Sequence, residues 1–405
     1  MRGHGNGPCG WKARTTYRSV EITLDFFPRR TKFVGVCLVG LSVAGYYPTS
    51  MTPRKKQTST GLPAAVSMAD LARELGVSMT TVSRALSDHH SIGAATKQRV
   101  LKLAKKLNYQ PNHMAAALRK GQSRLLGVVV PYIEGKFFPS VIQGIEQAAS
   151  KAGFSVIVCQ SHEDVQMERR NVETLLHAQV AGVLVSLARN TQQFHHFDKV
   201  RSRGIPLVFF DRIPTTGLVN SVVLNDHEGA FQATRHLLEQ GCRRIAHLAG
   251  PQHLNIYQQR RQGYLDALAT YDLALEAELL NYSDMTVEDG AQAVRHWLTL
   301  PKPPDGIFGA GDSVILGALQ MLKSQGVRVP QQVALAGFSN EGFTAITEPQ
   351  LTSVDQRCEE MGEAVVRLFL ELAAAPESSF VQRQVVLQPE LFIRGSSQQK
   401  AEVAG

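Results

Sequence analysis

From Leu126 onward one alternation governs the chain. Short runs rich in Val, Ile and Phe ("LGVVVP", "FSVIVCQ", "GVLVSL", "PLVFFD", "SVVLN", "RIAHLAG", "GIFGAG", "QVALAGF") are separated by stretches with apolar residues at helical spacing. The runs predict strands. The stretches predict helices starting near Phe138, Val165, Gln192, Glu228, Tyr257, Val287, Ser313 and Met361. Strands alternating with helices build parallel sheets covered on both faces, so the body is expected to be α/β.

The pattern before Leu126 is different. In "MADLARELGVSMTTVSRALSD", Leu71, Ala72 and Leu75 follow helical spacing, and Gly76 stands where a left-handed residue ends a helix. Ser78 is placed to cap the next helix, whose buried stripe is Val82, Ala85 and Leu86. Small residues at the turn let two helices cross closely and steeply, which predicts an all-α helix-turn-helix head. Its second helix presents small hydroxyls, one Met and one Arg where a solvated helix would carry Glu and Lys. A major groove takes hydroxyls and Arg for base edges and phosphates, and Met for a thymine methyl; acidic side chains would be repelled. Ser78, Met79, Thr80, Thr81, Ser83 and Arg84 are therefore the candidate DNA contacts. A third helix in "AATKQRVLKLAKKLNYQPN" turns Val100, Leu103, Ala104 and Leu107 inward and is expected to stop at Pro111. The Ala-rich segment carrying Leu118 is too short to be helical alone, so it either stays disordered or folds against a partner.

Charge sharpens this division. Residues 51–120 hold twelve Lys/Arg against three Asp/Glu, whereas residues 121–405 hold twenty-four against thirty. A basic segment ahead of a mildly acidic body suits a nucleic-acid contact, although a basic solvated face has the same composition. The five cysteines are scattered with no CxxC, which favours reduced cytosolic thiols over a disulfide framework or a zinc site. Adjacent pairs His89–His90 and His195–His196 cannot both face one metal from a helix, and neither a metal nor a cofactor is expected.

Near the N-terminus, a basic flank precedes about fourteen apolar or small residues ending at Tyr47. That is shorter than the ~20 residues of a membrane helix and resembles a signal-peptide core without a clear cleavage site. Met51 opens a polar, basic segment suited to a cytosolic N-terminus, so translation is expected to begin there. A genuine targeting segment and a disordered tail are the alternatives.

Residues 66–395 resemble the lactose-repressor (LacI/GalR) family of bacterial transcription regulators. The resemblance rests on "MADLARELGVSMTTVSRAL", "LNYQPNHMAAALR", "LGVVVPYIEGKFF", "GCRRIAHLAGP", "RRQGYLDAL", "VALAGFSN" and "PQLTSVDQ", in family order. It implies a hinge helix within residues 111–125 that orders on operator DNA, adding Tyr109, Asn112, Ala115 and Leu118 to the DNA contacts. Two such helices pair in the minor groove, where Leu118 wedges a base step. It further implies a cytoplasmic homodimer on an inverted repeat, most simply a repressor, controlled by a small-molecule effector. The body over 126–395 is then two-lobed, like a type I periplasmic binding protein, with crossings near Leu224–Asp226, Val354–Gln356 and Pro389–Leu391. Residues 66–110 form the head, 1–65 an N-terminal extension and 396–405 a disordered tail.

Ligands of open α/β sheets bind beyond the carboxyl ends of strands. Those ends supply Phe137, Phe138, Ser186, Asp211, Arg212, Arg260, Asp312, Ser339 and Asn340 as candidate effector contacts. Carboxylates and guanidinium groups grip sugar hydroxyls while rings cover C–H faces, which suits a sugar or sugar derivative. The pair of arginines leaves a phosphorylated sugar open. Each residue also has a plainer role: the phenylalanines as core, Asp211–Arg212 as a structural ion pair, Asp312 as a helix cap, Arg260 as a surface salt bridge. By resemblance Arg260 is a ligand clamp. Ser339 departs from the acidic residue of many members, and Gly311 from the Asn of several, so no particular effector carries over.

No GxxxxGK[ST], GxSxG or HExxH occurs, and "GAGDSVILG" lacks dinucleotide glycine spacing, so an enzyme is not expected. A secreted sugar-binding protein is the rival reading, supported by residues 34–47 and the lobed body. The helix-turn-helix and Leu118 segments oppose it.

Overall fold

The computed structural model describes residues 66–109, 123–375 and 382–398. The N-terminal extension, Asn112, Ala115, Leu118 and residues 399–405 lie outside them.

The head is three helices, α1 (Met68–Leu75), α2 (Met79–Leu86) and α3 (Ala94–Lys106), around Leu71, Ala72, Val82, Ala85, Val100 and Ala104. Ser67 and Asp70 make a reciprocal capping box on α1, and Gly76 ends it at φ 65°. The third helix does not run on to Pro111. It ends because Asn108 takes the left-handed conformation (φ 50°) and Tyr109 N–H donates back to Ala104 O at 2.8 Å, a Schellman closure.

The body follows in chain order as β1 (Leu125–Val130), α4 (Phe137–Lys151), β2 (Ser155–Gln160), α5 (Val165–His177), β3 (Gly182–Val185), α6 (Asp198–Arg201), β4 (Leu207–Phe210), β5 (Ser221–Leu224), α7 (Asp226–Glu239), β6 (Ile245–Ala249), α8 (Asn255–Ala269), β7 (Leu280–Tyr282), α9 (Val287–Trp297), β8 (Gly306–Gly309), α10 (Asp312–Ser324), β9 (Ala334–Phe338), β10 (Thr352–Asp355), α11 (Cys358–Ala374), β11 (Gln384–Leu387) and β12 (Glu390–Phe392). Two six-stranded sheets result. The first, ordered β11-β5-β4-β3-β1-β2, is wholly parallel; the second, β12-β10-β9-β8-β6-β7, is parallel except where β12 runs against β10. Central strands such as β3 and β9 are buried throughout, as sheets covered on both faces require.

The chain changes lobe three times. Residue Asn225 separates β5 of the first sheet from α7, which packs on β9 and β10 of the second. Gln356 and Arg357 separate β10 from α11, which packs on α4, β4 and β5. Gln388 and Pro389 separate β11 from β12. The first lobe is tightened where α4 and α11 cross through glycine: a Cβ on Gly144 of α4 would collide with Glu359 O, and one on Gly362 of α11 with Val141 O. The second lobe also buries His247 in β6, between the rings of Tyr264 and Phe308, with Nδ1 3.0 Å from Phe308 O. Burial pushes its pKa down to about 4, so it is neutral in the core.

Four further expectations need correction. The helix expected near Gln192 is a 3-10 turn (His195–Phe197) followed by the short α6. Strands β7, β10, β11 and β12 carry no long apolar run and were not anticipated as strands. The body begins at Leu125 rather than 126. Its end lies beyond 395, because the tail does not start at 396: Ser396 and Ser397 are buried, Ser396 Oγ donates to Leu335 O (2.7 Å), and Ser397 Oγ bonds Thr352 and His236.

Candidate functional site

Two surfaces carry the candidate residues. On the head, Ser78 caps α2 by accepting from Thr81 N–H at 3.1 Å, and its hydroxyl lies 2.9 Å from Thr81 Oγ1. Both hydroxyls therefore set the helix start first. Val82 and Ala85 are buried, which turns Met79 (56% exposed), Thr80 and Arg84 outward, with Ser83 half-buried beside them. No ion pair or side-chain hydrogen bond engages Thr80 or Arg84 among the described residues. Tyr109 is half-buried against the head core, and Lys97 is taken by Asp88 at 2.6 Å.

In the body, a cavity of about 110 Å³ lies between the lobes at the carboxyl ends of both sheets. Seven of the expected residues line it: Phe137, Phe138, Asp211, Arg212, Arg260, Asp312 and Ser339. Ser186 and Asn340 do not. Ser186 is buried behind Asp211 and donates to its Oδ2 at 3.2 Å. Asn340 holds its loop, donating to Ser353 Oγ and Asp355 and accepting from Arg394. The lining also includes Tyr132, Ile256, Tyr257, Met285, Glu341 and Gln356, which sequence reasoning missed. Met285 and Gln356 follow β7 and β10, so the strand-end rule finds them once those strands are recognised.

Buried charge organises the cleft. Arg212 Nη1 donates to both oxygens of Glu163, at 3.0 and 2.8 Å. Burial disfavours the Arg212 charge most, but Glu163, Tyr257, Tyr132 and Asp211 together more than offset it and hold its pKa above the ordinary value. Arg260 donates from Nε to Asp226 (2.8 Å), from Nη1 to Ala310 O (2.8 Å) and from Nη2 to Gln356 (3.1 Å), and its guanidinium lies 3.7 Å from the Phe338 ring centre. Asp226 and Gln356 sit at two of the three crossings, so Arg260 is a buried tie between them rather than a surface salt bridge. Burial raises the pKa of Asp226 to about 6 against the opposing pull of Arg260. Asp312 also rises to about 6 by burial, opposed by donation from Glu341 N–H and the Ser353 hydroxyl. Asp211 is raised by burial, with Arg212, Arg260 and Ser186 opposing. Its backbone is left-handed (φ 57°), as is that of Ser339 (φ 116°) and Asn340 (φ 47°), the local strain common at binding sites.

The lobes touch across the cleft. Ile213 N–H donates to Asn255 Oδ1 and Asn255 Nδ2 to Asp211 O, both at 2.9 Å. Lys136 donates from its backbone to Glu341 (2.8 Å) and from Nζ to Asn340 O (2.9 Å). Arg189 pairs with Asp284 at 3.3 Å, and its carbonyl bonds His253.

Two family models match separate stretches of the chain. Residues 67–112 match the model of bacterial regulatory proteins of the lacI family, and residues 234–397 match a periplasmic binding protein-like domain. The HTH-type transcriptional repressor CytR of Escherichia coli (strain K12) is 31% identical over 347 residues, covering 86% of this chain and 99% of that protein. The ribose operon repressor of Halalkalibacterium halodurans is 30% identical over 302 residues, covering 75% and 88%. Among solved structures, a complex of the transcriptional regulator CelR with cellobiose is 28% identical with TM-score 0.63 over 82% of this chain and 99% of that one. The lac repressor dimer bound to operator and the anti-inducer ONPF shares the fold at 24% identity, TM-score 0.74, over 83% and 100%. Since head and body together are matched along almost the whole of these repressors, this chain belongs to the lacI family of bacterial transcription regulators.

Proposed function

We propose that this protein is a cytoplasmic homodimeric repressor whose hold on an inverted-repeat operator is set by a small hydroxyl-rich effector bound between the lobes. The observation that carries this reading is the cleft itself: aromatic rings and buried, hydrogen-bonded charges converge at the carboxyl ends of both sheets. The cavity is below the ~300–1,000 Å³ usual for ligand pockets, so a sugar-sized ligand must loosen the ties at Asn255, Lys136 and Arg189. That makes the lobe contact a two-state element able to pass a signal. The cellobiose complex of CelR and the ribose operon repressor support a carbohydrate.

In this scheme Met79, Thr80, Ser83 and Arg84 read the major groove from a head over 66–110, on an α2 start set by Ser78 and Thr81. Tyr109, Asn112, Ala115 and Leu118 extend that contact, the last three within a hinge over 111–125. Phe137, Phe138, Asp211, Arg212, Asp312 and Ser339 meet the effector in a body running from 125 to 398. Ser186 and Asn340 support them from behind. Arg260 couples lobe closure to two crossings, and the protein works without catalysis. The test is thermal-shift screening of the full chain against sugars, followed by operator titration with each hit. A hit that raises the melting temperature and changes operator affinity supports the reading; hits that never alter operator affinity refute it.

A further inference from the structure

Two arginines beside a ligand cavity suggest a site for an anion. The geometry denies it. Arg212 puts Nη1 on both oxygens of Glu163, while its buried Nε, 4.0 Å from Asp211, has no hydrogen-bond partner, so its charge is matched by carboxylates although one donor is left over. Arg260 has its donors on Asp226, Ala310 O and Gln356. Lys136, the next cation, is engaged by Asn340 O and Asp355. Facing these, Asp211, Asp312 and Glu341 also border the cavity. Arg212 and Arg260 thus stand against five carboxylates: Glu163, Asp226, Asp211, Asp312 and Glu341. The N-terminus of α10, which would attract an anion, opens on Asp312 itself.

We infer that the effector is an uncharged, hydroxyl-rich ring compound carrying no phosphate, sulfate or carboxylate. The inference rests on the cleft being the effector site. Carboxylates accept hydrogen bonds and the unpartnered Arg212 Nε donates one, so the ligand must do both, as the hydroxyls of a free sugar or a nucleoside do. Tyr132, Phe137 and Tyr257 supply ring faces for its carbons. Burial raises the pKa values of Asp211 and Asp312, and in their protonated form they offer hydrogen bonds but still no positive charge. A phosphate dianion would be desolvated here among more carboxylates than guanidinium groups, which weakens its binding.

The test is isothermal titration calorimetry of the full chain with matched pairs: D-ribose and its 5-phosphate, D-glucose and its 6-phosphate, adenosine and its 5′-monophosphate. The expected result is saturable binding of at least one uncharged member, with its phosphate about 100-fold weaker or worse. The sugar and nucleoside arms identify the source. Glu163→Gln, which releases Arg212, is expected to narrow the gap by about tenfold. A phosphate that binds as tightly as its parent overturns the inference, as does failure of every uncharged member to bind; neither outcome depends on a variant folding. Binding that Asp211→Asn leaves unchanged overturns the cleft assignment instead, whatever the charge preference.

Discussion

The exposed face of α2 and the interlobe cleft use overlapping side-chain types in opposite states. On α2, Arg84 is exposed and Thr80 carries no internal partner among the described residues. In the cleft, Arg212 and Arg260 are buried (4% and 3% exposed), and each is bound to its own carboxylate. A surface that binds DNA must keep its donors free until the phosphates and base edges arrive. A site that switches between two arrangements holds its charges in a network, so that ligand contacts replace internal ones. The head is therefore expected to lose binding without losing stability when altered, and the body to lose both.

The largest effect is expected at Arg260. Removing it leaves Asp226 buried without its partner and unties two crossings, so Arg260→Ala should lower the unfolding free energy of the body by about 3–5 kcal/mol. Urea denaturation measures this. The Asp226→Ala/Arg260→Ala double variant should be more stable than Arg260→Ala alone, because no charge is then stranded. A single variant as stable as the parent would break the comparison at its cleft end.

Arg84→Ala tests the other end. It should weaken operator binding by about 1–3 kcal/mol and relax preference at one position if the guanidinium meets a base. The melting temperature should not move, since exposed substitutions away from caps and cores stay within about 0.5 kcal/mol. A drop in melting temperature would show that Arg84 serves the fold.

A smaller effect comes from pH and separates cleft from core within the body. Asp312 has a folded pKa of about 6, above its ordinary 3.8, so its contribution is full below about pH 4 and is lost as pH rises through 6. His247 is the reverse: with a folded pKa of about 4 against 6.5, its contribution is full above pH 6.5 and is lost as pH falls toward 4. Urea denaturation at pH 5 and pH 7 should show parent-minus-Asp312→Asn stability falling, and parent-minus-His247→Phe stability rising, each by about 1–2 kcal/mol. Equal signs would mean that one of these environments is misread.

Legibility in the sequence follows the same division. The head was readable because Gly76, Ser78 and the Val82 stripe act locally, through caps and spacing. Its one error, the end of α3, arose because Asn108 closes the helix before Pro111 is reached. In the body, long apolar strands announced themselves, while β7, β10, β11 and β12 take their strand character from neighbours. Polar Ser396 and Ser397 read as tail because their buried partners, Leu335, Thr352 and His236, are remote in sequence. The cleft shows the same limit. Phe137 and Asp211 follow from the strand-end rule and Arg260, inside α8, from the resemblance, but nothing local says that Glu163 neutralises Arg212 or that Arg260 is shared with Asp226 and Gln356.

On the proposed function, a ligand in the cleft sets operator affinity. The most direct test is fluorescence anisotropy of a duplex selected in vitro for this protein, titrated with the full chain with and without the uncharged ligand found by calorimetry. The parent should change its operator affinity by about 5- to 150-fold on ligand addition, a coupling of about 1–3 kcal/mol. Asp211→Asn, which keeps the side-chain shape and tolerates the left-handed backbone, should lose that change. A ligand response that survives intact in Asp211→Asn would contradict the claim.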